Sequence, residues 1–310
     1  MISKKSKIFV AGHRGLVGSA ILSKLKKEGY KNLITITRKK LNFLNKKKTF
    51  KFLKKHKPKL VIIAAAKVGG ILANSKDIIN FLYENIEIQN NLIMGSYKNG
   101  IKNLIFMGST CIYPKTSKTP IKEKNFLQGP FESTNEGYAI AKSVGVKLCE
   151  YLKKIKKVNY KCLMPTNLYG VNDNYNLETS HVIPALIKKI ILAKKKNKKN
   201  FIVWGNGKVK RDFMHSDDLA DACVFYMNKK INQNIINIGT GKSISIGALA
   251  KKIMKILNYR GKIVFDKTKP NGMIDKSLDV SLSKKYGWRY KINLDQGLKN
   301  VCEVMLKKIN

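Results

Sequence analysis

Short apolar runs alternate with longer amphipathic segments through the first half of the chain. Residues 7–11 (KIFVA) are too short for a helix and apolar enough for a buried strand. A glycine-rich turn follows. Residues 19–28 then carry helical spacing, with Ala20, Ile21 and Leu25 on one face, until Gly29 stops the pattern. Further strands are predicted over residues 33–37, 60–65, 103–108 and 160–164. The 60–65 run (LVIIAA) has no polar position, as a strand covered on both faces requires. Helices are predicted between the strands, notably over 78–98 and 138–154.

Strands that alternate with helices build βαβ units. The fold predicted is therefore α/β, a Rossmann-type doubly wound parallel sheet. Beyond residue 170 the pattern loosens. Helices are predicted over 182–193, 216–227 and 245–257, and short strands over 201–204, 235–238 and 262–265. This reads as residues 1–170 forming the doubly wound domain and residues 171–310 forming a smaller α/β C-terminal lobe. The boundary is soft, because such lobes exchange strands and helices with the main sheet.

A chain of 310 residues with 44% apolar content is long enough for this arrangement and buries a sizeable core. Its charge changes the picture more. Against 19 acidic residues stand 62 basic ones, a formal net charge of +43, which raises the prospect of a nucleic acid, an anionic membrane surface or an anionic substrate. The excess is nearly all lysine and is spread along the chain, with a local peak at 194–199. No cluster of Arg, Asn and Gln forks with stacked aromatics accompanies it, so base readout is not indicated. The charge reads as solvated lysine faces, with neither nucleic acid nor membrane as partner.

Five cysteines (Cys111, Cys149, Cys162, Cys223 and Cys302) form no C-x-x-C pair, so neither a zinc site nor a disulfide framework is suggested. An odd, scattered set fits a reducing compartment. The apolar run at 8–11 is far too short for a signal peptide. The longest apolar stretch, 60–73, is broken by Lys67 and two glycines and cannot span a bilayer. The expected location is cytoplasmic, and no metal is expected.

The turn after the first strand reads Gly12-His13-Arg14-Gly15-Leu16-Val17-Gly18. Between a strand and a helix, these glycines permit a tight turn, close backbone approach to a pyrophosphate and close helix–strand packing. The helix N-terminus then meets the phosphate charge. Where an NAD-selective site carries a carboxylate at the end of the second strand, this chain has Thr37-Arg38-Lys39. A guanidinium suits the 2′-phosphate of NADP(H), and Arg14 lies within the same loop.

Downstream, Tyr138-Ala-Ile-Ala-Lys142 places a phenol and an ammonium at i and i+4 on one helix face. A nearby lysine favours the phenolate and makes Tyr138 an acid–base group. The fourth strand runs into Gly108-Ser109-Thr110-Cys111, which puts a hydroxyl at the sheet edge where doubly wound folds bind ligands. Ser109 and Tyr138 are thus placed to hydrogen-bond one carbonyl oxygen.

Glycine loop, strand-end serine and Y-x-x-x-K in that order resemble the short-chain dehydrogenase/reductase superfamily, and the extra C-terminal lobe its extended branch. AGHRGLVGSA, AAAKVGGI, GSTCIYP, YAIAKSVGVKLCE, MPTNLYG, SHVIPAL, WGNG, RDFMH, NIGTG and LDV, in order and over nearly the whole chain, resemble the GDP-L-fucose synthases. The resemblance implies a GDP-4-keto-6-deoxy-D-mannose substrate, inverted at C3 and C5 through enolates and then reduced at C4 by NADPH. It implies Cys111 and His181 as the acid–base pair of epimerisation, with Ser109, Tyr138 and Lys142 polarising the carbonyl. It also implies cofactor contacts from residues 12–18, Arg38, Met107, Gly108, Ser109, Thr110, Lys142, Pro165, Thr166, Asn167, Leu168 and His181. Lys189, Trp204, Arg211 and Asn271 are implied at the GDP end, and a homodimer built on the helices at 78–98 and 138–154. Two departures stand out: Asn271 replaces an aspartate in Pro-Asp-Gly, and Gly137 replaces a proline before the catalytic tyrosine. Competing readings are a GDP-colitose synthase that inverts only C5, a simple GDP-sugar 4-reductase, and a non-catalytic dinucleotide sensor. Retention of Cys111, His181, Tyr138 and Lys142 speaks against the last two.

Overall fold

The computed structural model describes residues 1–268 and 273–309; Asn271 lies outside them. In chain order the first half comprises β1 (Ile8–Ala11), α1 (Leu16–Lys27), β2 (Leu33–Ile34), α2 (Lys46–His56), β3 (Leu60–Ile63), α3 (Ile71–Lys76), α4 (Ile78–Lys98), β4 (Asn103–Met107), α5 (Glu136–Lys156) and β5 (Asn159–Pro165). The second half comprises β6 (Asn167–Tyr169), α6 (Val182–Lys195), β7 (Asn200–Trp204), β8 (Lys210–His215), α7 (Ser216–Asn228), β9 (Ile235–Ile238), β10 (Ser243–Ser245), α8 (Ile246–Ile256), β11 (Lys262–Asp266), β12 (Asp275–Lys276), α9 (Ser281–Lys285) and α10 (Leu294–Ile309).

The central sheet has six parallel strands in the order β2-β1-β3-β4-β5-β9. Every residue of β1 and β3 is buried. One face packs on Ile21 and Leu25 of α1 and on Leu219, Ala222 and Cys223 of α7. The other packs on Leu53, Leu92, Ile93 and Val146 of α2, α4 and α5. The doubly wound arrangement is therefore the predicted one, with helices on both faces of a parallel sheet.

Four local differences from the sequence reading have physical reasons. The helix after the glycine turn begins at Leu16 rather than residue 19, because Gly15 already has extended, cap-like geometry. β2 stops at Ile34, since β1 offers it only the partners Ile8 and Phe9; Thr37, Arg38 and Lys39 therefore leave the sheet as a loop. Helix α2 escaped the periodicity reading because only Thr49 and Leu53 among its eleven residues are buried and six of the others are lysine. β8, the RDFMH stretch, is a strand that pairs antiparallel with β10 and parallel with β6 and β12.

A third cluster packs α6, α8 and α10 with β7 and β8 around Ile187, Ile190, Phe213, Leu249, Ile253 and Val301. The chain crosses between this lobe and the sheet more than once, because β9 pairs with β5 and α7 covers α1's side of the sheet. Asp212 of β8 secures the crossing. Its buried carboxylate accepts hydrogen bonds from the Thr240 hydroxyl and from the amides of Thr240 and Gly241, both at 3.1 Å, just after β9.

Burial pushes the Asp212 carboxyl up to about 6, with the hydrogen bonds from Thr240 and Gly241 opposing. Because the folded value exceeds the ordinary one near 3.9, its stabilising contribution is full below about pH 4 and is lost as pH rises through 6. Urea midpoints of wild type and Asp212→Asn, compared from pH 4 to pH 7, are expected to show the wild-type advantage shrinking with rising pH.

Candidate active site

The C-terminal ends of β1, β3, β4 and β5 open onto one cleft of about 920 Å³. Its walls include Gly12 to Val17 from the glycine turn, Arg38 from the loop after β2, and Met107, Gly108, Ser109, Thr110 and Cys111 beyond β4. Tyr138 and Lys142 of α5, residues 165–168 at the end of β5, and His181, Lys189, Trp204 and Arg211 complete it. The structure thus brings together the described residues singled out from sequence, with one exception. Gly18 lies behind the cleft wall, where a Cβ would come within 2.1 Å of the Gly12 carbonyl oxygen, so glycine there lets helix α1 close onto the turn.

The glycine turn fits a dinucleotide on structural grounds. Gly12 has φ +86°, and a Cβ on it would lie 2.6 Å from the Ala65 amide. No side chain caps α1 at Gly15, so the helix N-terminus presents its free amides to the cleft, where a diphosphate is stabilised. The phosphate-binding role expected of Arg38 has a competitor in the protein itself. Its guanidinium donates to Glu84 Oε2 of α4 at 3.3 Å, and Glu84 also takes the Lys67 ammonium at 2.9 Å.

The reactive groups cluster at the mouth of β4. Ser109 Oγ accepts from the Cys111 amide at 3.3 Å. Lys142 is buried; its ammonium donates to the Met107 carbonyl at 2.9 Å and lies 5.6 Å from the Tyr138 ring centre and 4.7 Å from that of Phe106. Burial lowers Lys142 to about 8, with the Cys111 and Cys162 thiols opposing. Burial, and then the Cys111 thiol, raise Tyr138 above the ordinary phenol range, so it stands as a proton donor. The Y-x-x-x-K spacing suggests a phenolate; burial instead favours the protonated phenol.

Cys111 is buried too, which pushes its thiol up. The Lys276 ammonium, the Ser109 hydroxyl and the Lys142 ammonium pull it back down. Lys276 had no local signal in the sequence. It reaches the cleft only because β12 pairs with β8 and sets Lys276 beside Arg211. Burial lowers Lys276; Cys111 and Glu132 favour its charge while Arg211 opposes it.

Across the cleft, His181 stands in extended geometry at the N-terminus of α6, with no side-chain cap. At the lobe end Lys189 donates to the Ile202 carbonyl at 3.1 Å and lies 5.1 Å over the Trp204 ring, and burial lowers it. Arg211 is fixed by carbonyls of Lys210 and Met273, each at 2.7 Å. An indole and two cations on one wall suit a base and a diphosphate.

The sequence profile of the NAD dependent epimerase/dehydratase family matches residues 8–239. GDP-L-fucose synthase 1 of Arabidopsis thaliana is 43% identical over 309 residues, spanning 100% of this chain and 96% of its own. GDP-L-colitose synthase of Yersinia pseudotuberculosis is 41% identical over 98% of this chain and 99% of its own. Among solved structures, a GDP-L-fucose synthetase from Naegleria fowleri bound to NADP superposes with a TM-score of 0.89 at 27% identity, covering 100% of this chain and 97% of that one.

If Lys276 tunes the thiol, Lys276→Met slows alkylation of Cys111 by iodoacetamide about three- to tenfold at pH 7.5, as expected when one nearby cation is removed. Peptide mass spectrometry reads Cys111 separately from the other four cysteines.

Proposed function

The chain belongs to the GDP-L-fucose synthase family of NAD dependent epimerases/dehydratases, and on that footing we propose that it converts GDP-4-keto-6-deoxy-D-mannose to GDP-L-fucose with NADP(H) as cofactor. The observation that carries the proposal is the presence of Cys111 and His181 on the one cleft that also holds Ser109, Tyr138 and Lys142.

C3 and C5 flank the 4-keto group, so each proton is acidified by the same carbonyl. Cys111 as thiolate takes a proton from the ring carbon. The electron pair moves onto the C4 oxygen, which Ser109 and Tyr138 hold by hydrogen bonds. His181 then returns a proton to the opposite face, and the carbon is inverted. NADP(H), when bound in its reduced form, supplies the hydride for C4. Tyr138 gives its phenolic proton to the resulting alkoxide. Lys142, charged below about 8, stabilises the phenolate left behind. One oxygen collects negative charge in both stages, which is why one set of donors serves both. Lys189, Trp204 and Arg211 hold the GDP end.

Residues 1–170 then carry the cofactor turn with Ser109, Cys111, Tyr138 and Lys142, and residues 171–310 supply His181 and most of the substrate wall. Similarity to the Yersinia colitose synthase supports a second reading, in which a 3,6-dideoxy sugar is inverted at C5 alone. The working assembly proposed is a homodimer through α4 and α5, which pack on each other and expose Ile79, Tyr83, Ile140, Val144, Tyr151 and Ile155. The proposed compartment is the cytoplasm, supported by five unpaired cysteines; among the described residues no helix is long and apolar enough to cross a membrane.

Purified protein given NADPH and GDP-4-keto-6-deoxymannose is expected to oxidise the cofactor and yield GDP-L-fucose by NMR. An unepimerised 6-deoxy product would remove the roles of Cys111 and His181, and turnover of only the 3,6-dideoxy analogue would favour the second reading. Cys111→Ala is expected to cut epimerisation at least about 100-fold while NADPH still binds. Light scattering is expected to give a dimer mass for wild type and a monomer for Ile79→Asp.

A further inference from the structure

One buried carboxylate beside the cleft has no part in the chemistry described so far. Asp173 lies in the loop between β6 and α6, and its side chain is only 4% exposed. Burying a carboxylate costs several kcal/mol unless donors reach it. Oδ1 accepts from the Asn174 amide at 2.7 Å, while Oδ2 has no partner among the described residues. The nearest cation-forming group is His181, whose Nδ1 lies 3.8 Å from Asp173 Oδ1. That nitrogen is buried and likewise without a partner, although the imidazole as a whole is 43% exposed along the cleft. The inward ring nitrogen faces the Asp173 carboxylate through Oδ1, while Oδ2 has no partner among the described residues and the rest of the ring faces the cleft.

The loop that carries Asp173 is braced. Thr179 and Ser180 amides donate to the Asn176 carbonyl, the Asn174 side chain donates to Thr179, and the Gly70 amide donates to the Thr179 carbonyl. A brace of this kind fixes the aspartate relative to the helix that begins at His181.

We propose that Asp173 is the positioning residue for His181. Its carboxylate accepts the Nδ1 hydrogen, which fixes the tautomer and ring orientation with Nε2 facing the cleft. A small rotation of either side chain closes the gap of 3.8 Å. The role of His181 as proton donor rests on the proposed function; the Asp173–His181 pairing itself does not. A neutral amide in place of the carboxylate presents either a donor or a weaker acceptor to Nδ1, and so loosens the choice of tautomer. In a serine hydrolase triad the same substitution is strongly damaging for that reason.

The first test is nitrogen-15 NMR of the four histidines in the intact, ligand-free protein, with His181 assigned by its loss in His181→Asn. The expected wild-type signature of neutral His181 is hydrogen on Nδ1 and a bare Nε2. In Asp173→Asn that preference is expected to weaken, and in Asp173→Glu to return in part. The second test measures deuterium entering C3 and C5 of the keto sugar in heavy water, relative to the rate of hydride transfer from NADPH. Asp173→Asn is expected to lower this ratio about 10- to 100-fold, with partial rescue by Asp173→Glu. Hydrogen on Nε2 in wild type, or an unchanged ratio in a folded Asp173→Asn protein, would overturn the proposal. Should Asp173→Asn not fold, the wild-type tautomer and the Asp173→Glu ratio still decide it. A correct tautomer in a protein that does not turn over the keto sugar would leave the pairing intact and remove the proposed function instead.

Discussion

All strands of a parallel sheet end on the same edge, and that constraint organises this protein. β1 delivers the glycine turn to the edge, β3 the Ala64–Gly70 stretch, β4 Ser109 and Cys111, and β5 residues 165–168. Because each strand is buried on both faces, its end is fixed by packing rather than by the loop that follows it. Groups from four separate stretches of sequence therefore meet in one cleft without any loop having to hold them there.

The second constraint is electrostatic. A surface crowded with lysine says little about the site, but inside the cleft a few cations are spent sparingly. Lys142, Lys276 and Arg211 each lose some preference for charge through burial. Carboxylates and thiols answer them: Glu132 and Asp275 favour the charge on Arg211, and Cys111 favours it on both lysines. The cleft is thus a place where a small change in local charge, such as negative charge growing on a bound carbonyl oxygen, is felt strongly by its neighbours. Lys67, Glu84 and Arg38 form a network at the cofactor end, in which Glu84 takes both cations.

The interleaving of the two halves has a mechanical side. β9 comes from the second half of the chain yet completes the central sheet, and Asp212 ties the loop after it to β8. β8 also carries Arg211 and, through its pairing with β12, fixes Lys276. The cleft wall that carries Arg211 and Lys276 is therefore anchored to the same sheet that presents Ser109 and Cys111.

Sequence alone determined the strand–helix alternation and the glycine turn, and it put Tyr138 and Lys142 on one helix face. Each of these is written in short-range spacing: period two or 3.6, or i and i+4 on one helix. It also marked Cys111 and His181, but only by resemblance, because a lone cysteine and a lone histidine have no local signature. What the tertiary structure decided is everything that depends on pairing between distant segments. Lys276 joins Cys111 only through the β12–β8 register, Asp173 meets His181 only through the fold of their loop, and Arg38 finds Glu84 across 46 residues of chain. The acid–base character of Tyr138 belongs to the same class: spacing puts a lysine near it, but burial in the folded protein raises the phenol.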